Sequence, residues 1–323
     1  MTGAMNDLTP ATTAKLAALL PQPPESAALD TLVSTLRERH GPSVNAVLMY
    51  GSCLRSGDLF DGLVDLYLVT DRYRDFYPGR LKAIANWLLP PNVFYIELPV
   101  NDRTVRAKYA VLSNRDLRRG TTRWFHSYLW GRFTQPTAIA WSRDEQARQA
   151  VLACFAGAIT TFLERTLPRL PDAGSVQDLW QQGLQLSYGA ELRAEQPGRA
   201  GELTEAGAAY YRETTRLLAG SLRHELSVET GPDGSLSYRA VIPASLRLRS
   251  RLAWPLRRVQ GKILSVLRLL KALFTFEGGL DYIAWKLERH SGQVVEIPER
   301  VRRWPLIFIW GLFWRLYRRG VFR

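Results

Sequence analysis

The chain opens with apolar residues at helical spacing and then alternates between strand-like and helix-like patterning. Ala11–Leu20 and Ser26–Arg39 read as two helices separated by Pro21-Gln22-Pro23-Pro24. They are expected to form an N-terminal unit, residues 1–40, packing on the domain that follows. Val44–Tyr50 and Leu63–Val69 are short, nearly continuous apolar runs, the pattern of strands covered on both faces. Leu81–Leu89 has helical spacing and stops at Pro90-Pro91. Val93–Pro99 and Val105–Leu112 read as two more strands, joined at Asn101-Asp102-Arg103. A small mixed sheet with helices follows, over residues 41–145.

Beyond it the period changes to 3.6. Asp116–Tyr128, Ala147–Leu163, Gln177–Arg193 and Glu205–Ala219 read as helices, and Ser227–Thr230 with Ser235–Val241 as a hairpin across Gly231–Gly234. Residues 146–243 therefore form a mainly helical domain. Residues 244–323 differ again. Leu256, Val259, Ile263, Val266, Leu267, Leu270 and Phe274 recur on one helical face with Arg and Lys between them. The tail from Pro305 sets Trp310, Phe313, Trp314, Tyr317 and Phe322 among arginines. The fold class is α+β.

Charge sharpens the division. The net charge is +13, yet residues 244–274 and 300–323 alone hold fifteen cations and no acid. The rest of the chain is thus close to neutral, about two charges negative. A basic amphipathic segment bordered by aromatics suits an anionic membrane surface. A nucleic-acid patch and packing against the protein body are its competitors. The Trp and Phe density favours the membrane, and no nucleic-acid partner is expected. Leu306–Trp314, the longest apolar run, is nine residues, about 14 Å as a helix, against about 30 Å of hydrocarbon. It is expected to lie in the interface. Met1–Asp7 shows no signal-peptide pattern, and two cysteines, Cys53 and Cys154, give no disulfide framework. A peripheral position on the cytoplasmic face of a membrane is expected.

Candidate chemistry centres on Tyr50-Gly51-Ser52. A Gly-Ser turn between a strand and a helix offers amides and a hydroxyl to a phosphate. After twelve intervening residues, Asp65 interrupts the next apolar strand, and an unpaired buried carboxylate is costly unless it has work to do. Such an acid either holds a metal ion against the phosphate or caps a strand end. The alternating position that often carries a second acid is Tyr67. Glu97, the polar break in Phe94–Leu98, is the candidate second metal carboxylate, and Mg2+ the expected ion. Lys108 either reaches a phosphate or snorkels to water. Arg132 suits a bidentate phosphate contact, with a surface salt bridge as the alternative. Arg193 and Arg199 flank the Pro197-Gly198 break and either converge on one anion or remain solvated. Tyr188 is equally a core or a ligand residue. His126 has no assigned role.

Taken in order, these stretches resemble the mitochondrial-type CDP-diacylglycerol synthases, the translocator assembly and maintenance family of phosphatidate cytidylyltransferases. Tyr50-Gly51-Ser52 with Asp65 is similar to its Tyr-Gly-Ser and Asp. Lys108–Ser113 is similar to its Lys-Tyr-Gly-Val-Val-Ser, and Trp124–Pro136 to its Trp, Tyr and Gly-Arg motif ending in Pro. Ser187–Arg193 with Glu195–Arg199 is similar to its Gly-Asp-Ile-Arg and Glu-Asn-Pro-Asn-Lys motifs. The resemblance spans about residues 44 to 290. It departs at Cys53, Gln135, Glu191 and Arg199, and the shorter segment 71–92 lacks the family's histidines.

The resemblance implies a polymerase-beta-like nucleotidyltransferase domain, a winged-helix-like middle domain and a membrane-contacting C-terminal segment. It implies CTP and phosphatidic acid as substrates, CDP-diacylglycerol and pyrophosphate as products, and magnesium. Gly51, Ser52 and Arg132 would hold the triphosphate, Asp65 and Glu97 the metal, and Arg193 and Arg199 the lipid phosphate. The alternatives are transfer to another lipid phosphate, or a catalytically impaired relative that binds membrane or RNA. The sequence leaves the oligomeric state open.

Overall fold

A computed structural model of the chain describes residues 9–191, 198–232, 234–275, 285 and 297–303. Thr9 and Ser26 cap helices α1 (Pro10–Leu19) and α2 (Ala27–His40) by accepting from the amides of Thr12 and Ala28. Strand β1 (Val44–Tyr50) leads through Gly51 into the single-turn helix α3 (Ser52–Ser56) and then β2 (Val64–Thr70). After α4 (Tyr73–Phe76) and α5 (Arg80–Leu88), β3 (Asn92–Val100) and β4 (Arg103–Ser113) form a hairpin.

The expected helix over Asp116–Tyr128 is shorter. Helix α6 (Asn114–Thr122) ends where Thr121 and Thr122 turn their hydroxyls back onto the carbonyls of Leu117 and Arg118. The turn α7 (Trp130–Phe133) and a fifth strand, β5 (Ala138–Ser142), come next. The sheet is mixed, in the order β3-β4-β2-β1-β5, with β2 and β4 parallel and the other pairs antiparallel.

Strand alternation divides the sheet into two apolar faces. Val47, Met49, Leu66, Leu68 and Val111 pack with Leu29, Leu32 and Leu36 of α2 and Phe76 of α4. Leu48, Tyr67, Val69, Ala110 and Leu112 pack with Trp130, Phe133, Phe155 and Ile159, the last two on α8 (Glu145–Thr166). Helix α8 is long and apolar enough to span a membrane by composition, but it is the central core helix. Its far side continues the same core. Phe162 stacks on Trp180 of α9 (Val176–Tyr188), and Trp180 on Tyr211 of α11 (Ala208–Leu218), at 4.7 and 4.4 Å. Helix α10 (Arg199–Ala206) and a small sheet, β6 (Ala173–Ser175), β8 (Leu236–Val241) and β7 (Glu225–Thr230) in that order, complete this region. The sheet and helical regions thus share one core across residue 145. Helix α2 packs on the sheet, whereas α1 packs on α8 and α11.

The basic segment is one 32-residue helix, α12 (Ala244–Thr275), about 48 Å long. It is amphipathic in an inverted sense. Trp254, Arg257, Gly261, Arg268 and Lys271 face the protein, while Leu252, Leu256, Val259, Ile263, Leu270 and Phe274 are all more than half exposed. The inward cations are satisfied by carbonyls. Arg257 Nε donates to Phe125 O (2.7 Å), Arg268 Nε to Pro90 O (3.0 Å), and Lys271 Nζ to Leu89 O and Pro91 O. At Gly261 any Cβ would collide with the Ala190 carbonyl, so only glycine lets α12 pass there. The tail aromatics Trp310, Phe313 and Trp314 lie outside the described residues.

Candidate active site

The C-terminal end of β1 and the N-terminal ends of α10 and α11 face each other across a cleft of about 640 Å³. Gly51 has φ +93°, a conformation that disfavours L side chains, and a Cβ there would stand 2.8 Å from Asp65 Oδ2. Glycine is required twice over, by backbone conformation and by the close approach of Asp65. Ser52 follows at the start of α3, which is only one turn long, so the hydroxyl and local amides matter here more than a helix dipole.

Asp65 is directly opposite Tyr50 in β1 and Lys108 in β4. Lys108 Nζ stands 3.0 Å from Asp65 Oδ1, an ion pair that sets the ammonium against the buried oxygen of the carboxylate. Burial, and then the Asp65 charge, push the Tyr50 phenol up to about 12, so it stays neutral and can donate. Arg132 projects from α7, with its guanidinium 5.0 Å from the Tyr50 ring and 5.6 Å from the Tyr128 ring. Its buried Nε has no partner among the described residues.

Tyr188 at the end of α9 donates to Gln135 Oε1 (2.7 Å), and Gln135 Nε2 donates to Gly131 O (2.9 Å). Ser127 Oγ donates to Ser187 O (3.0 Å), which ties the two turns together. This tie fixes the backbone that carries Arg132.

Tyr50, Gly51, Ser52, Asp65, Arg132, Tyr188 and Arg199 all line this cleft. Lys108 lines an adjoining chamber of about 340 Å³ that shares Tyr50, Asp65 and Arg132. Glu97 goes elsewhere. It lies on the same sheet face but two strands and two residues from Asp65, roughly 12 Å by strand spacing. There it accepts from Arg106 Nε (3.1 Å) and the Tyr95 hydroxyl (2.5 Å). Arg193 lies outside the described residues.

Three residues missed by sequence reasoning complete the cleft: Arg55, Tyr210 and Tyr211. Burial, and then the neighbouring Arg199 charge, lower the Arg55 pKa. Arg55 has no ion-pair partner among the described residues, whereas Arg199 pairs with Glu202 (2.7 Å). The buried hydroxyls of Tyr210 and Tyr211 also lack partners among the described residues. The only sequence signal for them is a doubled tyrosine in a helix.

The residues do not by themselves compose a magnesium site. Among the described residues, Asp65 is the one carboxylate lining the cleft, with an ammonium beside it, and no three His, Cys, Asp or Glu side chains converge. The arrangement is instead a cationic, tyrosine-walled receptacle with unmet hydrogen-bonding groups. No family model and no curated protein matches the chain. Among solved structures, it is similar to one described as a nucleotidyltransferase-like protein from Exiguobacterium sibiricum 255-15, over 91% of each chain, at 14% identity and a TM-score of 0.23. A likeness at that score carries no argument about function.

Proposed function

We propose that the chain is a nucleotidyltransferase that binds CTP in the large cleft and transfers its cytidylyl group to phosphatidic acid at a membrane surface. The observation that carries the reading is the convergence of Arg55, Arg132 and Arg199 with Gly51, Ser52 and Asp65 on one cleft. A triphosphate offers acceptors to Arg132, Arg55, Ser52 and the tyrosine hydroxyls, and the choice of a guanidinium fits phosphate geometry. Asp65 repels the same anion, so its place is beside a cation rather than against phosphate.

The outward apolar stripe of α12 with exposed Arg249, Arg251, Arg258 and Lys262 supports a peripheral position on an anionic leaflet. CTP rather than another nucleotide, and phosphatidic acid rather than another lipid phosphate, rest on the resemblance of the motifs.

The test is transfer from labelled CTP to phosphatidic acid in mixed micelles by the purified full chain, with Mg2+ in one arm and EDTA in the other. CDP-diacylglycerol and pyrophosphate are the expected products. The reading is lost if neither arm yields product with any lipid phosphate.

A further inference from the structure

The smaller chamber poses a separate question, because it is walled differently from the cleft it adjoins. Val93, Ala110, Tyr67 and Tyr128 line it beside Lys108, and among the described residues only Tyr50, Asp65 and Arg132 are common to both spaces. Its cation stands among apolar and aromatic walls, with Asp65 positioning the ammonium at 3.0 Å. Resting on the reading above, we infer that this chamber is the acceptor-phosphate subsite. We further infer that the exposed face of α5, with the last turns of α12, seats its mouth on an anionic bilayer.

Four contacts from α12 shape the mouth. Val93 lies two residues past the Leu89–Pro91 loop, whose three carbonyls are held by Arg268 and Lys271 of α12. The Arg268 guanidinium also lies 4.0 Å over the Tyr128 ring, a wall of the chamber. Helix α12 therefore clamps the loop that joins α5 to the chamber. On either side of that loop the surface is apolar. Leu81, Trp87 and Leu88 of α5 are 84, 61 and 67% exposed, and Leu270 and Phe274 of α12 are 52 and 73% exposed.

Arg80–Leu88 and Ala244–Thr275 contain no acid at all. Exposed leucines beside cations, with a Trp on the same helix, fit lipid headgroups over an acyl boundary. A nucleic acid would leave the leucines without a role. A phosphate monoester on an apolar tail would place its phosphate at Lys108 and Arg132 and leave its tail in the leaflet.

Transfer then balances simply. A nonbridging oxygen of the acceptor phosphate attacks the α-phosphorus of the nucleotide. The new P–O bond forms as the α–β bridging bond breaks, and pyrophosphate leaves with the electron pair. A dianionic acceptor needs no base. Arg132, common to both spaces, is placed to meet charge on both reactants.

Flotation of the full chain on vesicles of phosphatidic acid, and on phosphatidylglycerol vesicles matched in charge, tests this without relying on turnover. Wild type is expected to bind both, with an excess for phosphatidic acid. The double variant Trp87→Glu, Leu88→Glu should lose binding to both, by about tenfold or more given the cost of charges in the interface. Lys108→Met should keep binding to phosphatidylglycerol and lose the excess for phosphatidic acid, and its acceptor KM should rise about tenfold relative to any change in CTP affinity. The inference is overturned if wild type shows no phosphatidic-acid excess, if the α5 variant floats as wild type does, or if Lys108→Met weakens CTP binding as much as acceptor use. Absence of transfer with the phosphatidic-acid excess intact would sink the enzymatic reading alone.

Discussion

The face of the sheet turned toward α8 has two ends that behave as opposites. At one end Leu48, Val69 and Leu112 are fully buried in a dry core. At the other, on the same strands and the same pleat, Tyr50, Asp65 and Lys108 open onto the cleft and its adjoining chamber. Strand alternation sets which face a side chain takes, but it does not set what covers that face. Where α7 and α8 lie over the strands, only apolar residues are stable. Where that cover stops, polar groups collect with incomplete hydrogen bonding. The dry end stores stability and the open end is available for chemistry.

That contrast is open to attack from both ends. The largest effect is expected at the open end. Asp65→Ala should cut cytidylyl transfer by about 100-fold, because it releases the Lys108 ammonium that the carboxylate positions at 3.0 Å. Its ion pair is partly solvated, so unfolding free energy should move by less than about 1 kcal/mol in urea titrations. Leu48→Ala should do the reverse, costing about 2–5 kcal/mol of stability. Its residual folded fraction should bind CTP normally in calorimetry. If both variants lose stability equally, the two ends do not differ.

Next in size is Arg55→Ala. It should weaken CTP binding by about tenfold, the value of one charge-assisted contact. It should leave the melting temperature unchanged or slightly raised, because the repulsion from Arg199 goes with it. A fall in melting temperature without a change in affinity would make Arg55 structural.

The smallest effect is acid sensitivity, and it belongs to neither end. Burial, then Arg268 and Arg165, hold His126 at about 3; burial, then Arg39, holds His40 at about 4. Both are neutral in the folded chain at pH 5, whereas the unfolded chain binds protons below about 6.5. The unfolded state takes up more protons, so stability falls as pH drops from 7 toward 4. His126→Gln should flatten that slope in denaturant midpoints measured at pH 7 and 4.5.

Much of the open end was legible along the chain. Two apolar runs interrupted by Gly51-Ser52 and Asp65 marked β1, β2 and the turn between them, and the Trp124–Pro136 stretch marked Arg132. Strand β5 was not legible, because Ala138–Ser142 is short and its pairing depends on β1 as a neighbour. Glu97 shows the limit of reading a polar break as a ligand. It lies on the same sheet face as Asp65, but the strand register sets Arg106 opposite Glu97 and Lys108 opposite Asp65. Arg55, Tyr210 and Tyr211 reach the cleft from segments more than 150 residues apart, and nothing local in either announces a common space. Residues 244–275 displayed an apolar stripe, but not that Arg268 and Lys271 would turn inward while the stripe faced out.

The central claim is that the cleft beside Gly51 is a nucleotide-phosphate site with Arg132 at its junction. Calorimetric titration of CTP into the full chain and into Arg132→Met tests it most directly. The account predicts saturable one-to-one binding by wild type and at least a tenfold loss in the variant, with both chains melting at the same temperature. Equal CTP affinity in the two chains, or no binding by wild type, would contradict it.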